Sequence, residues 1–325
     1  MAGRTRPPPP KYDRAMATLI LRRTLYAVIL LFIASLIIFY GMRLAPGNPG
    51  DVLLNPLNRI GLIEGLKHKL FLDRPLWEQY LIFIHNLFTG QPGVSLFSGE
   101  PITTIIRQAG LNTLKLGLAA AILTYATAIP LGVLAAWKRN TPWDQGTMLL
   151  AVLGMGIPNF FLAILLIQLF GIWLKWLPVA GSDDISNIVL PAVVLSAEAI
   201  AVNLRLVRSS VLEELGRDYV RTLYAKGLRE WRIMWVHALR NALPPVIALA
   251  GIMLRTLLGY TLIVEVIFRW PGLGATLVDA VIRRDYSVAQ VLALLLTFVV
   301  ILLNLLADVG QQLVDPRVRE RAQAA

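Results

Sequence analysis

Long apolar runs dominate the chain, and six of them approach the ~20 residues that a helix needs to cross a bilayer. We predict membrane-spanning helices at 24–42, 113–136, 146–172, 188–204, 243–266 and 287–307. The first run is too long for a signal-peptide core and no small-x-small cleavage site follows it, so we predict that it is retained. The pattern predicts an all-α, polytopic membrane protein with six transmembrane helices.

Composition supports this class and excludes several others. The 325 residues are 56% hydrophobic and 16% charged, whereas soluble domains carry about 25% charged residues. The net charge of +11 fits basic cytoplasmic loops on anionic lipid, so we predict no nucleic-acid partner. The chain has no cysteine and three scattered histidines, so we predict neither a metal site nor a catalytic residue.

The distribution of basic residues predicts the orientation. With the N-terminus inside, the cytoplasmic segments hold 19 of the 31 Lys and Arg residues and the outer segments hold 10. Six of those 10 fall in one long loop, which counts little in the positive-inside rule. We therefore predict that both termini are cytoplasmic.

The predicted spans divide the chain into five parts. Residues 1–18 form a disordered cytoplasmic tail because four consecutive prolines cannot continue a helix. The first transmembrane helix covers 19–43, a long extracytoplasmic loop region covers 44–112, a five-helix core covers 113–312 and a cytoplasmic tail covers 313–325. Within the loop region, PLWEQYLIFIHNLF has helical periodicity; it is either a cap on the span ends or a docking surface.

A basic cytoplasmic hairpin at 211–242 interrupts the core. The stretch DYVRTLYAKGLREWRIMWVHALRNALPP, residues 218–245, predicts two short helices joined at Gly227, which takes positive φ at low cost and permits close backbone approach. We expect Pro244 and Pro245 to begin the next span. The expected apolar stripes are Tyr219, Val220, Leu223 and Tyr224 in the first helix, and Trp231, Met234, Trp235, Ala238 and Ala242 in the second. From the residues alone, the hairpin either lies on lipid or binds a partner protein.

Two ionisable residues, Glu198 and Arg255, fall near the middle of predicted spans. Each would cost ~2.5–3.5 kcal/mol if it faced lipid alone. They either form a buried pair or line a path for solute, and we predict the path. No P-loop and no GxSxG elbow occurs, so the chain is not predicted to hydrolyse a nucleotide or act as an intramembrane hydrolase.

The hairpin resembles the cytoplasmic signature of ABC-importer permeases in the form used by the dipeptide, oligopeptide and nickel family. Against the generic signature EAA-x3-G-x9-I-x-L-P, Gly227 and Leu239 match, but Arg221 begins RTL in place of EAA, His237 replaces Ile and Arg240 replaces Pro. Against the peptide-importer form, YVRT, AKGL and HALRNA agree closely. Further motifs of that family follow in order: RLAPGNPGD, LDRPLWEQY, IPLGVLAAWKR, GIPNFF, WLPVAG, RLVRSSVLEEL, FRWPGLG, RDYSVAQ and DPRVR.

This resemblance implies a type I importer permease fold and the permease subunit of an ATP-driven peptide importer in a prokaryotic inner membrane. It implies a homologous second permease, two ATPase subunits that hold ATP and Mg, and an extracytoplasmic substrate-binding protein, with no cofactor on this chain. Nickel, opine or oligosaccharide transport is the alternative, and a secondary transporter is a distant one.

The resemblance also implies site residues. ATPase coupling is expected from Arg221, Ala225, Lys226, Gly227, Leu228, His237, Leu239, Arg240 and Asn241. Binding-protein docking or outer gating is expected from Trp270, Pro271, Gly272 and Gly274. Glu198 and Arg255 are the expected pathway residues.

Overall fold

The computed structural model describes residues 11–44 and 74–314, with side chains for all of these but 11–20, 254, 255, 258 and 307–314. Within this part the chain is helical, and its β structure is one isolated bridge between Val94 and Pro101. The all-α prediction is confirmed. The helices are α1 (Lys11–Leu44), α2 (Leu76–Phe88), α3 (Ile102–Trp137), α4 (Pro142–Gly156), α5 (Asn159–Leu166), α6 (Val189–Leu215), α7 (Asp218–Ala225), α8 (Glu230–Arg232), α9 (Leu239–Ile267), α10 (Leu273–Ile282) and α11 (Tyr286–Val314).

Within residues 11–44 and 74–314, five helical stretches are long and apolar enough to cross a membrane: Leu21–Leu44, Ile102–Trp137, Ile185–Leu215, Glu230–Met253 and Tyr286–Leu306. A sixth span forms if α4 and the stretch Asn159–Trp173, which ends in a π-helical turn, count together. These two helices bend by 108°, so the uninterrupted helix predicted at 146–172 is wrong. The cause is Pro158, which holds Ile157 in an extended conformation and ends α4.

Four helices extend beyond their predicted spans. Helix α1 begins at Lys11, inside the predicted tail 1–18, because nothing after the prolines interrupts a helix. Helix α3 begins at Ile102, after Pro101 and inside the predicted loop region 44–112. Helix α6 continues to Leu215 instead of ending at 204, and α11 reaches Val314, just past the predicted tail boundary at 313. Residues 1–10, 45–73 and 315–325 of the predicted tails and loop lie outside the described part.

Helix α6 is the centre of the core. It packs most extensively against α3 and also contacts α4, α5 and α9. Gly132 makes the contact with α3 possible: a Cβ at this position would lie 2.7 Å from Cβ and Cγ1 of Val207. Close approach of this kind, through small residues, is how helices associate where no hydrophobic effect drives them together.

Helix α2 lies against the C-terminal part of α1. The hydroxyls of Tyr80 and Ser35 are 2.8 Å apart, and the Phe39 ring meets Tyr80 edge-on with a centroid separation of 5.3 Å. The opposite face of α2 leaves Trp77 and Phe88 exposed. One face of α2 is therefore a cap on the span ends.

The contact at Gly132 yields a stability prediction. Gly132→Ala forces Val207 away and should lower the free energy of unfolding by about 1–3 kcal/mol, the usual cost of overpacking. Gly117→Ala is the matched control, because a Cβ at this α3 position meets nothing within 4 Å. Thermal unfolding of the detergent-solubilised chain measures both; equal midpoints for the two variants would contradict the packing described.

Candidate functional site

The cytoplasmic hairpin turns at Gly227, whose φ is +73°. The amide of Gly227 donates to the Tyr224 carbonyl at 2.9 Å, and the amide of Leu228 donates to the Leu223 carbonyl at 3.3 Å. This pair of bonds is the Schellman motif, which ends a helix with one left-handed residue. A Cβ at Gly227 meets nothing within 4 Å, so the predicted close backbone approach is wrong and positive φ alone explains the glycine.

The second arm of the hairpin continues into the membrane. Helix α8, a π-helical segment at Ile233–Ala238 and α9 follow one another with helical backbone angles at both junctions. Pro244 and Pro245 lie inside α9, so the expectation that they begin a new helix is wrong. The arm and the span form one continuous helical path from Glu230 to Ile267.

This arm packs on the C-terminal ends of α3 and α6. Met234, Ala238 and Ala242 are buried, as the periodicity predicts, and they cluster with apolar side chains of α3 and α6. Trp231 is wrongly placed in the predicted stripe: it is 51% exposed, while Ile233 is fully buried in its stead. An α-helical period cannot locate the buried face here because the π segment Ile233–Ala238 has a different number of residues per turn.

Polar side chains hold the base of the hairpin. The carboxylate of buried Glu214 accepts a hydrogen bond from the Tyr219 hydroxyl at 3.0 Å. It also forms an ion pair with Arg217 at 2.9 Å. Tyr219 also bonds with the side chain of Asn241 in α9. Burial raises the pKa of Tyr219, so its hydroxyl stays protonated near neutral pH. The base therefore ties α6, α7 and α9 together.

The outer face of the hairpin is open. The sequence-predicted coupling residues Arg221, Ala225, Lys226, Gly227, Arg240 and Asn241 are exposed, and Leu228, His237 and Leu239 are half-buried. Arg229 and Arg232 are exposed as well. Together with Arg240, they form no ion pair within the described residues. The hairpin thus presents a positively charged, solvent-facing tip on a fixed base.

A second ion pair fixes the short loop after α3. Arg208 of α6 donates from Nε and one terminal nitrogen to the two Asp144 oxygens at 2.6 and 2.7 Å. The Asn140 amide donates to the same carboxylate at 3.0 Å. Asp144 is buried, and a bidentate pair at such a site is geometrically specific. The N-terminal end of α4 is therefore fastened to α6 beside the hairpin.

The predicted pathway residues lie on two adjoining helices. Glu198 is half-buried in α6, and its carboxylate interacts with the Tyr260 hydroxyl of α9. Arg255 belongs to α9, but its side chain lies outside the described part. A direct contact between Glu198 and Arg255, the alternative to a path, therefore involves a side chain outside the described part.

The turn after α9 is an internal joint. Trp270 is buried and its indole Nε1 donates to the Asn112 carbonyl at 3.0 Å, while the Asn112 side chain donates to the Pro271 carbonyl at 3.0 Å. Gly272 and Gly274 are buried as well, and Pro271 is exposed. Three of the four residues predicted for docking or gating are thus buried within this chain.

Glu265 is the centre of this joint. Its fully buried carboxylate accepts hydrogen bonds from the Thr113 hydroxyl at 2.6 Å and from the amides of Gly274 and Ala275 at 2.7 and 3.1 Å. A carboxylate at a helix N-terminus is stabilised by the free amides there. A Cβ on Gly272 would overlap the Glu265 carboxylate, which explains the glycine. Glu265 therefore fastens α10 to both α9 and α3.

The family of the chain follows from comparison with known proteins. Residues 128–320 match the binding-protein-dependent transport system inner membrane component, and residues 16–99 match the N-terminal region of such membrane components. The chain belongs to this family. It is therefore the membrane permease of an ABC importer, which confirms the resemblance.

Two curated relatives are similar along almost their whole length. The glutathione transport system permease GsiC of Escherichia coli K12 is 36% identical over 304 residues, which cover 94% of this permease and 99% of GsiC. The oligopeptide transport system permease AppB of Bacillus subtilis 168 is 36% identical over 314 residues, which cover 93% of this permease and 99% of AppB.

Among solved structures, a chain of the inward-facing MetNI methionine ABC transporter superposes with a TM-score of 0.55 at 21% identity, covering 66% of the permease and 99% of that chain. This last likeness confirms the importer permease fold.

Sequence reasoning missed Glu265, Asp144 and Arg208. A signal for Glu265 is present, because an acid ends the apolar run of α9 directly before the glycines of FRWPGLG. Asp144 and Arg208 are 64 residues apart, and no local pattern pairs them. Within residues 11–44 and 74–314, no group of three or more His, Cys, Asp or Glu could hold a metal ion.

The joint at Glu265 yields a second prediction. Glu265→Ala leaves two buried amides and the Thr113 hydroxyl without an acceptor, so unfolding free energy should fall by about 3 kcal/mol. Asp279→Ala in α10 is the control, because its ion pair with Arg283 is solvent-exposed and should contribute at most about 1 kcal/mol. Thermal unfolding in detergent compares the two; a Glu265→Ala midpoint equal to that of the control would show that the joint is not stabilising.

Proposed function

We propose that this permease forms half of the translocation pathway of an ATP-driven importer of peptides. The observation that carries the proposal is the 36% identity, along more than nine-tenths of the chain, to permeases named for glutathione and for oligopeptide transport. Nickel, opine and oligosaccharide importers remain the competing assignments, and the uptake experiment below separates them.

The assembly we propose has four further subunits. A homologous second permease completes the pathway, two ATPase subunits bind beneath it, and a substrate-binding protein docks outside. ATP and Mg belong to the ATPase subunits, and this chain binds no cofactor. Both termini are cytoplasmic in the inner membrane, which the excess of Lys and Arg on the inner segments supports.

The cytoplasmic hairpin is the proposed ATPase contact. Its support is a rigid base at Glu214 and Tyr219, an exposed tip around Lys226 and Gly227, and a second arm continuous with α9. Movement imposed on the tip would reach α9 without passing through a loop. Coupling would therefore be mechanical, with nucleotide-driven closure of the ATPase subunits reorienting a membrane helix.

The pathway and the outer joint complete the proposal. Glu198 and Arg255 line the path on α6 and α9, since ionisable residues at membrane depth mark such paths. Trp270, Gly272 and Gly274 support an outer gate from within the chain. The exposed Pro271 is the member of that group available for contact with the binding protein.

Reconstituted transport tests the assignment. The complete complex in proteoliposomes, with its binding protein outside and ATP on the ATPase side, should accumulate labelled di- or tripeptides only when ATP is hydrolysable. Nickel, an opine and an oligosaccharide serve as the comparison substrates. Accumulation of one of these without any peptide uptake would overturn the peptide assignment and keep the importer class.

The turn at Gly227 yields a coupling prediction. Gly227→Val places a β-branched residue at positive φ, which costs roughly 1–3 kcal/mol and should displace the tip. We expect ATP hydrolysed per peptide imported to rise at least about tenfold, with assembly intact. Gly227→Asn is the matched variant, because Asn tolerates this conformation, and should keep near-native coupling. Equal coupling ratios for the two variants would contradict the assigned role of the turn.

A further inference from the structure

One strip of α6 is left open between α4 and α9. Glu198, Val202, Arg205 and Ser209 follow at intervals of four, three and four residues, which places them on one helix face. All four are half-buried or exposed. The residues beside them on the helix are buried: Ala199, Ala201, Asn203, Leu204 and Val207.

The inner end of the strip carries an uncompensated positive charge. Arg205 lines an open cavity of about 400 Å³ together with Met148, Met155 and Ser209. Its guanidinium contacts the Met155 sulfur at 3.4 Å and forms no ion pair within the described residues. Arg208, at the same cavity, is already bound by Asp144. The chain thus neutralises one arginine here and leaves Arg205 available.

The outer end of the strip carries a negative charge. Glu198 interacts with the Tyr260 hydroxyl and forms no ion pair with a described side chain. It lies seven residues before Arg205, a helical rise of about 10 Å. Glu198 lies near the middle of its predicted span, where a charge is costly unless a ligand or a water-filled path receives it. It faces the same way as Arg205.

We infer that this strip binds both ends of a peptide with free termini. The Glu198 carboxylate and the Tyr260 hydroxyl receive the N-terminal ammonium, and the Arg205 guanidinium receives the C-terminal carboxylate. An extended tripeptide spans about 10 Å, which matches the spacing of the two charges. The inference rests on the proposed function as a peptide importer and adds the chemical feature by which the pathway recognises its substrate.

The lining of the cavity around Arg205 suits varied peptide side chains. Met148 and Met155 are unbranched and polarizable, and such side chains adapt to differently shaped partners. A neutral oligosaccharide has no charged group that could pair with Glu198 or Arg205. A free divalent cation requires several oxygen, nitrogen or sulfur ligands, and the described residues hold no such cluster.

Equilibrium binding to the assembled transporter tests the site. Both permeases and both ATPase subunits, in nanodiscs without nucleotide or binding protein, are titrated with labelled trialanine, N-acetyl-trialanine and trialanine amide. The wild type should prefer trialanine over either blocked form by about tenfold, the usual weight of one charge-assisted hydrogen bond. Arg205→Gln should lose the preference over the amide and keep the preference over the acetylated form, and Glu198→Gln should do the reverse.

Two further variants separate recognition from damage. Arg205→Lys retains the charge and should retain the preference over the amide. Arg283→Gln removes an exposed arginine of the outer surface and should leave all three affinities unchanged.

The outcomes distinguish this inference from the proposed function. The site alone is overturned if the complete wild-type system imports trialanine but shows no preference for free termini. It is also overturned if trialanine is imported and both neutral variants keep the wild-type preferences. Failure of the wild type to import any peptide overturns the proposed function. Loss of each preference in the matching variant supports the site.

Discussion

The permease depends on one uninterrupted helical path that leaves the cytoplasmic hairpin and ends at the outer joint. It begins at Glu230, passes through the π segment and two prolines, and ends at Ile267. A loop at any point would absorb movement, whereas a helix whose backbone hydrogen bonds are internal transmits it. The same hydrogen bonding is what permits backbone to cross a bilayer at all. The constraint that lets the chain cross a membrane is therefore also the one on which the proposed coupling through this helix depends.

Charge placement divides the permease into fixed and working regions. Glu265 is fully buried and saturated with donors, and Asp144 is held by Arg208 and a backbone amide. Both fasten one helix to another at opposite ends of the core. Glu198 and Arg205 have no such partner within the described part of the chain. Ionisable groups near the middle of a span are costly unless they meet a partner or water, and the proposed peptide site therefore rests on Glu198 and Arg205.

Much of this architecture follows from the sequence. Apolar runs predict the spans because lipid demands long hydrophobic helices, and Gly227 predicts a helical turn because positive φ favours glycine. The period of apolar residues alone could not predict three features: the bend at Pro158, the helix through Pro244 and the exposure of Trp231. Prolines and π turns alter a helix according to what packs around it. Asp144 and Arg208 meet only through the tertiary fold.

The continuity of the hairpin arm with α9 is the central claim, and distances between spin labels test it most directly. The chain has no cysteine, so cysteines introduced at exposed Val236 and Ile263 label uniquely, with a helical rise of about 40 Å between them. The distance should be the same in the nucleotide-free complex and in the complex trapped with ATP. A pair at Val236 and Leu118 of α3 should change, which shows that the arm has moved. A shortening of the Val236–Ile263 distance by several ångströms on ATP binding would reveal a hinge at the prolines and contradict the proposed coupling through this helix.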